Sequence, residues 1–231
     1  MEKYINISIC IPALNEQESL EETVEDLMKT LAPHVRELDI IIVDDGSSDA
    51  TPWIAEQLVK KYHQVRAIHH LKKTGIGSCY RDALALARGD YFTWFPGDHE
   101  NSAQEFILCL PYLKNDTAVT CYHLGQDPRS CFRHLLSRSF TWLLNKFSRL
   151  NLKYYNGLTV FPTAVLRSLP LVADGFLFTA ENLIKAIRRG YKVVELSAPL
   201  RGRLCGKSNA LTLSAAFQIA KDTLKLIMSR K

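Results

Sequence analysis

The chain has 231 residues, 47% of them hydrophobic and 23% charged, and carries a formal charge of +5. A chain of that size and apolar content buries a full core, which argues against intrinsic disorder and predicts one globular domain, or one domain with a small appendage. The opening run "MEKYINISICIPALNEQESL" meets Asn15 and Glu16 too early for a secretory signal. No stretch approaches the roughly 18 uninterrupted apolar residues of a membrane span, so peripheral membrane contact is the most to expect. Six cysteines without a C-x-x-C spacing fit a reducing, cytoplasmic setting. The mild positive charge suits an anionic substrate or membrane surface. Its cations do not interleave with aromatics as a nucleic-acid groove requires, so nucleic acid is not an expected partner.

In chain order, "YINISICI" (4–11) predicts a first strand, too short for a buried helix and followed by Pro12. Residues 16–31 set Leu20, Val24, Leu27 and Leu31 at helical spacing, with acids in the early turns. A buried strand follows at 38–43, then a helix capped by Asp49 or Thr51 with Pro52 in its first turn. "VRAIHH" reads as a third strand, "GIGSCYRDALALARG" as a helix ending at Gly89, and "YFTWF" as a fourth strand. This alternation predicts a mostly parallel sheet covered by helices on both faces. Beyond it, residues 102–113 look helical and 117–123 extended, and 129–150 form a basic amphipathic helix or pair of helices. A short strand near 158–161, a helix over about 179–189, the strand "KVVEL" and a C-terminal helix over about 211–229 complete the pattern. The composition turns polar around 124–130, the nearest thing to an internal boundary.

Strand ends carry the candidate chemistry. Asn15 and Glu16 follow the first strand, Asp44 and Asp45 the second, and Pro96-Gly97-Asp98 the fourth. Open α/β sheets bind ligands at the carboxyl ends of their strands, and an ionised carboxylate accepts two donors at once, as from a base or ribose. Ordinary turn and cap chemistry accounts equally for the Asp, Gly and Ser of "DDGSSD" taken alone. "GIGSCY" begins like a dinucleotide fingerprint, but Tyr80 takes the place of the third glycine and the stretch follows the third strand instead of the first.

The stretches "ICIPALNEQESLEETVEDL", "DIIIVDDGSSDATPWIAEQL", "GIGSCYRDALALARGDYFTWFPGDHEN" and "ENLIKAIRRGYKVVELSAPLRGRLCGKSN" resemble, in order and spacing, the family-two glycosyltransferases of GT-A fold. The likeness spans most of residues 5–210 and is nearest to the dolichyl-phosphate mannose synthase-like, polyprenyl-phosphate branch. It implies an α/β GT-A domain over 1–231, with a nucleotide-sugar half (1–123), an acceptor half (124–210) and a C-terminal amphipathic helix (211–231). In that frame Pro12, Leu14 and Glu16 line the nucleotide pocket, Val43 and Asp45 contact the base, and Pro96 and Gly97 border the nucleotide just before the metal acid Asp98. Glu100 would add an oxygen ligand or a base, and Arg203 would reach the diphosphate or an acceptor phosphate.

The sequence departs from the family where Pro96 stands in place of the first acid of Asp-x-Asp, leaving Asp98 as the one certain carboxylate there. Asp98 with the diphosphate oxygens suits Mg²⁺ or Mn²⁺. His99 beside it reads as a packed or solvated side chain before it reads as a ligand. Arg129, Arg133 and Arg138 offer planar forks to an acceptor phosphate, or simply a solvated basic face. Tyr155-Asn156-Gly157 stands where the polyprenyl-phosphate branch carries an acid before Ser-Gly, and Asn156-Gly157 also suits a turn. Glu181 matches a family acid behind the acceptor site, or is an ordinary helix glutamate. The resemblance thus implies inverting, metal-dependent transfer from a nucleoside diphosphate sugar to a polyprenyl phosphate at the cytoplasmic membrane face. A soluble saccharide or hydroxyl acceptor, or a nucleotide-sugar-binding domain without transfer activity, remain as alternatives.

Overall fold

The computed structural model describes residues 5–97, 102–123 and 131–198. The elements run β1 (Asn6–Ala13), α1 (Leu20–Thr30), β2 (Glu37–Asp44), α2 (Thr51–Lys61), β3 (Val65–His69), α3 (Ile76–Leu86) and β4 (Tyr91–Trp94). Then come α4 (Gln104–Cys109), β5 (Thr117–His123), α5 (Cys131–Ser148), β6 (Thr159–Pro162), α6 (Thr163–Ser168), α7 (Phe178–Arg188) and β7 (Lys192–Ala198). The seven strands form one sheet in the order β3-β2-β1-β4-β6-β5-β7. β1 pairs in parallel with both β2 and β4, β2 with β3, and β5 with β7, whereas β6 runs antiparallel to β4 and to β5.

Alternation along the strands splits the core into two layers. Ile7, Ile9 and Ile11 of β1, with Ile40 and Ile42 of β2, pack against Leu20, Val24 and Leu27 of α1, Leu58 of α2 and Phe106 of α4. Cys10, Ile41, Val43 and Phe92 point the other way, against Cys79, Tyr80 and Ala83 of α3, Leu166 of α6 and Phe178 and Leu183 of α7. Each such side chain taken fully from water contributes about 1.5–3 kcal/mol, which is why the near-continuous apolar runs of β1 and β2 occupy the sheet centre.

The elements differ from the sequence expectation in two places, the start of α1 and α6. α1 begins at Leu20, not at 16, because residues 14–19 are held in a turn by the loop that follows β2. Of the helix or pair of helices expected over 129–150, the described residues form one, α5. The short helix α6 has no periodic run to announce it. Pro162 ends β6, and Thr163 restarts the chain as a helix by donating from its amide to Asp90 O at 2.9 Å and from its hydroxyl to Gly89 O at 2.6 Å. The expected polar boundary at 124–130 and the helix at 211–229 lie outside the described residues.

Candidate active site

The crevice lies at the carboxyl ends of β2, β1 and β4, which are neighbours in the sheet. It opens where the strand order reverses, with β2 on one side of β1 and β4 on the other, as in other open α/β sheets. β4 stops pairing with β1 at Cys10–Trp94. Phe95 N still donates to Cys10 O at 2.8 Å, but Pro12, two residues further along β1, has no amide to return to Phe95 O, so the ladder stops there.

Three loops meet there. Asn15 takes a left-handed φ of 56°, and its amide donates to Ser47 Oγ at 2.9 Å while Ser48 N donates back to Asn15 Oδ1 at 2.9 Å. Glu16 N donates to Thr51 Oγ1 at 2.8 Å, and Ala50 N to Gln17 Oε1 at 3.0 Å. The loops after β1 and β2 are thereby zipped together. The turn after β4 is held against α1, where Ser19 Oγ donates to Gly97 O at 2.8 Å and Thr23 Oγ1 to the same oxygen at 3.2 Å. A Cβ on Gly97 would stand 3.2 Å from Pro12 O and 3.7 Å from Glu16 Cγ. Gly97 therefore brings the chain to the rim directly beside the end of β1.

Asp44 and Asp45 are both buried, and both are already engaged. Asp44 accepts from Ser47 N at 2.9 Å and faces His69 Nδ1 at 3.1 Å, and the far nitrogen of His69 meets Glu56 at 3.0 Å. Burial opposes charging His69, but Glu56 and Asp44 outweigh it and raise its pKa above the usual 6.5. Asp45 accepts from Thr74 N at 2.7 Å, Thr74 Oγ1 at 2.8 Å and Gly75 N at 2.9 Å, and lies 3.0 Å from His70 Nδ1. Burial pushes its carboxyl up, and these hydrogen bonds more than reverse that, so it stays below the ordinary aspartate value.

Asp45, His70 and Cys79 present ligand atoms within 4.8 Å of one another, the one such grouping among the described residues. It does not fit a cation. Asp45 has its lone pairs filled by Thr74 and Gly75, and the Cys79 thiol must lose its proton to ligate, whereas burial and then the charge of Asp45 push its pKa far up. The cluster ties the β3–α3 loop to the end of β2.

The other expected residues distribute as follows. Pro12, Leu14, Glu16 and Pro96 are half-buried around the crevice, and Gly97 is buried beneath its rim. Val43 is fully buried with its side chain in the layer facing α3, so it reaches a base only through its backbone. Arg138 is exposed on α5. Asn156 is exposed and accepts from Thr179 Oγ1 at 2.9 Å, which joins its loop to α7. Glu181 is only 2% exposed: it accepts from Val172 N and Ala173 N at 3.1 and 2.9 Å and pairs with Lys185 at 2.7 Å, so its carboxylate is turned to the 170–174 segment. Asp98, Glu100, Arg129 and Arg203 lie outside the described residues, as does the side chain of Arg133.

Sequence reasoning missed His69, His70 and Thr74. The signal was available: in the parallel register Asp44 faces His69, so a pair of acids ends one strand where a pair of histidines ends its neighbour.

Residues 8–175 match the model of glycosyl transferase family 2. The chain belongs to that family. It is 25% identical over 203 residues to Glycosyltransferase AglD of Haloferax volcanii, covering 83% of this chain and 32% of that protein. It is 33% identical over 197 residues to the poly(ribitol-phosphate) beta-glucosyltransferase of Bacillus spizizenii, covering 79% of this chain and 30% of the other. The chain thus spans about a third of the length of these curated relatives. Among solved structures it is similar to glucosyl-3-phosphoglycerate synthase from Mycobacterium tuberculosis in complex with Mn²⁺, UDP and phosphoglyceric acid. That likeness has a TM-score of 0.75 and 18% identity over 96% of this chain and 78% of that one. The same enzyme with Mg²⁺ and UDP gives a TM-score of 0.72 and 21% identity, over 98% and 81%. The family-two domain therefore has the GT-A-like α/β fold.

Proposed function

We propose that this domain transfers a sugar from a nucleoside diphosphate sugar, a uridine diphosphate sugar first among them, to an acceptor that presents a phosphate. The carrying observation is the meeting of the β1, β2 and β4 ends in one crevice, where Gly97 abuts Pro12 and Glu16 and the loops after β1 and β2 are bonded to each other. The UDP in complexes of the M. tuberculosis synthase supports the nucleotide, and its Mn²⁺ and Mg²⁺ support a divalent cofactor. Asp98 would hold the ion, since it follows the turn that Gly97 seats at the rim. The bound ion would offset the charge that gathers on the departing diphosphate.

The acceptor reading rests on available bases. A phosphate monoester is already anionic near neutral pH, so transfer to it needs alignment and leaving-group stabilisation more than proton removal. A hydroxyl acceptor needs a base within hydrogen-bond reach. Of the two candidate bases, Glu181 is occupied by two backbone amides and Lys185, which leaves Glu100 alone to serve a hydroxyl acceptor and favours the anionic one. Trp94 Nε1 and Asn182 Oδ1 are buried with no partner among the described residues, which leaves one donor and one acceptor unfilled where β4 meets α7. Trp94 packs on Phe178 with ring centroids 5.3 Å apart, and Asn182 lies one turn further along α7. Among phosphate acceptors a polyprenyl phosphate is preferred, on the motif likeness to that branch and on the exposed surface of α5 described next.

Calorimetric titration of UDP and GDP with and without Mn²⁺ tests the donor, followed by transfer assays with UDP-sugars in the presence and absence of a polyprenyl phosphate. UDP should bind more tightly with Mn²⁺, and Asp98→Ala should abolish both that gain and turnover. Unchanged turnover in Asp98→Ala would overturn the site assignment.

A further inference from the structure

Helix α5 has two unlike sides. Inward, Leu144 is buried, and Asn145 binds the following loop: its Nδ2 donates to Leu152 O at 2.8 Å, and its Oδ1 accepts from Leu152 N at 3.0 Å and from Tyr155 Oη at 2.8 Å. Outward, Trp142 is 62% exposed, Leu143 36% and Phe147 38%, beside exposed Arg138, Lys146 and Arg149. Helical spacing sets Arg138, Trp142 and Lys146 in one row and Ser139, Leu143 and Phe147 in the row beside it. Lys146 Nζ stands 5.0 Å over the Trp142 ring.

The composition around this face is one-sided. From Pro128 to Ala173 the chain contains no aspartate or glutamate. A cationic face bearing Trp and Leu matches the chemistry of a lipid headgroup boundary, where aromatic rings and aliphatic chains enter the acyl region and lysine and arginine reach the phosphates. A soluble polyanion would engage the cations but leave Trp142 and Leu143 in water. A second copy of this face would meet like charge. So would the chain's own C-terminal segment, in which Lys221, Lys225, Arg230 and Lys231 stand against Asp222 alone from residue 211 onward.

We propose that the outward face of α5, centred on Arg138, Trp142, Leu143 and Lys146, docks on an anionic lipid bilayer. Because the inner face of α5 is bonded through Asn145 to the loop leading to Asn156, docking would hold the acceptor side of the crevice against the membrane. The proposal goes beyond the transfer reaction and is read without turnover, so its failure removes one support for a polyprenyl acceptor and leaves the transfer itself standing, while failure of transfer leaves the docking standing.

The full chain is sedimented with phosphatidylcholine vesicles and with vesicles containing about 30 mol % phosphatidylglycerol, over a range of salt. It should bind the anionic vesicles, and more weakly as salt rises. Trp142→Glu and Leu143→Glu should each weaken binding about tenfold or more, whereas Trp142→Phe should retain most of it. Arg138→Glu with Lys146→Glu should weaken it at low salt and flatten the salt dependence, about fivefold for each cation removed. Because these side chains face solvent, the variants should melt with the wild type. Four results would overturn the proposal: no binding to anionic vesicles; binding unchanged in Trp142→Glu, which means another segment docks; binding to heparin but not to vesicles; or a melting temperature lowered by several degrees in Trp142→Glu, which means the face is covered within the protein.

Discussion

Gly157 has no room for a side chain. A Cβ built there would stand 1.7 Å from Cys121 O and 2.9 Å from its carbonyl carbon, both backbone atoms of β5. Gly157→Ala must push the loop off that strand, and overpacking of this kind costs about 3 kcal/mol. For a chain of this size that is a loss of roughly 10 °C in melting temperature, measurable by circular dichroism. A shift under about 2 °C would show that the loop is free to move. The dipeptide Asn156-Gly157 announced a turn, but nothing local announced the partner, which lies 36 residues earlier in the chain. Asp44 and Asp45 teach the same lesson. Their position at a strand end was legible, whereas the filling of their lone pairs by Ser47, Thr74, Gly75 and two histidines was not.

At the scale of elements, α7 reaches the segment before it through one side chain. Glu181 accepts the Val172 and Ala173 amides, and that segment in turn receives Gly77 N at Asp174 O (2.8 Å), Arg81 Nη1 at Ala173 O (2.7 Å) and an Arg81–Asp174 ion pair. α7 and the start of α3 are thus joined across the 170–174 segment. Glu181→Ala would strand two amides and leave the largely buried Lys185 without its carboxylate, a change worth about 3 kcal/mol in the urea midpoint. Glu181→Gln should fall between, because the amide oxygen still accepts. If the alanine variant unfolds with the wild type, the clamp has no energetic role. Periodicity predicted α7 to within a residue at each end, because its buried face is long and regular. It failed at the start of α1 and at α6, where hydrogen bonds to distant loops set the boundary.

At the scale of the whole molecule, stability should carry the signature of the bridges at the ends of β2 and β3. His69 binds Asp44 and Glu56 with a pKa raised above 6.5, so its stabilisation is fully present below about 6.5 and is lost as pH rises through the higher folded value. Asp45 acts in the opposite sense: its lowered pKa stabilises the fold above the ordinary aspartate value of 3.8, and that contribution disappears as pH falls through the folded value. Urea midpoints for the wild type should therefore fall on both sides of a maximum. In His69→Gln the alkaline fall should flatten while the acid limb remains, and an unchanged alkaline limb would refute the bridge.

The sequence by itself determined the alternation of strands and helices, the two-sided sheet and the family, because apolar periodicity and strand-end motifs are local and survive without knowledge of contacts. It also placed the ends of β1, β2 and β4 side by side, since strands that alternate with helices lie parallel and bring their carboxyl ends to one edge. Only the tertiary structure decided which acids face inward, that Glu181 closes a segment, that two histidines bridge four carboxylates, and that α5 turns Trp142 and Phe147 outward. Those outcomes depend on which atoms from distant parts of the chain fill each donor and acceptor. That is a property of packing, which no single stretch of sequence contains.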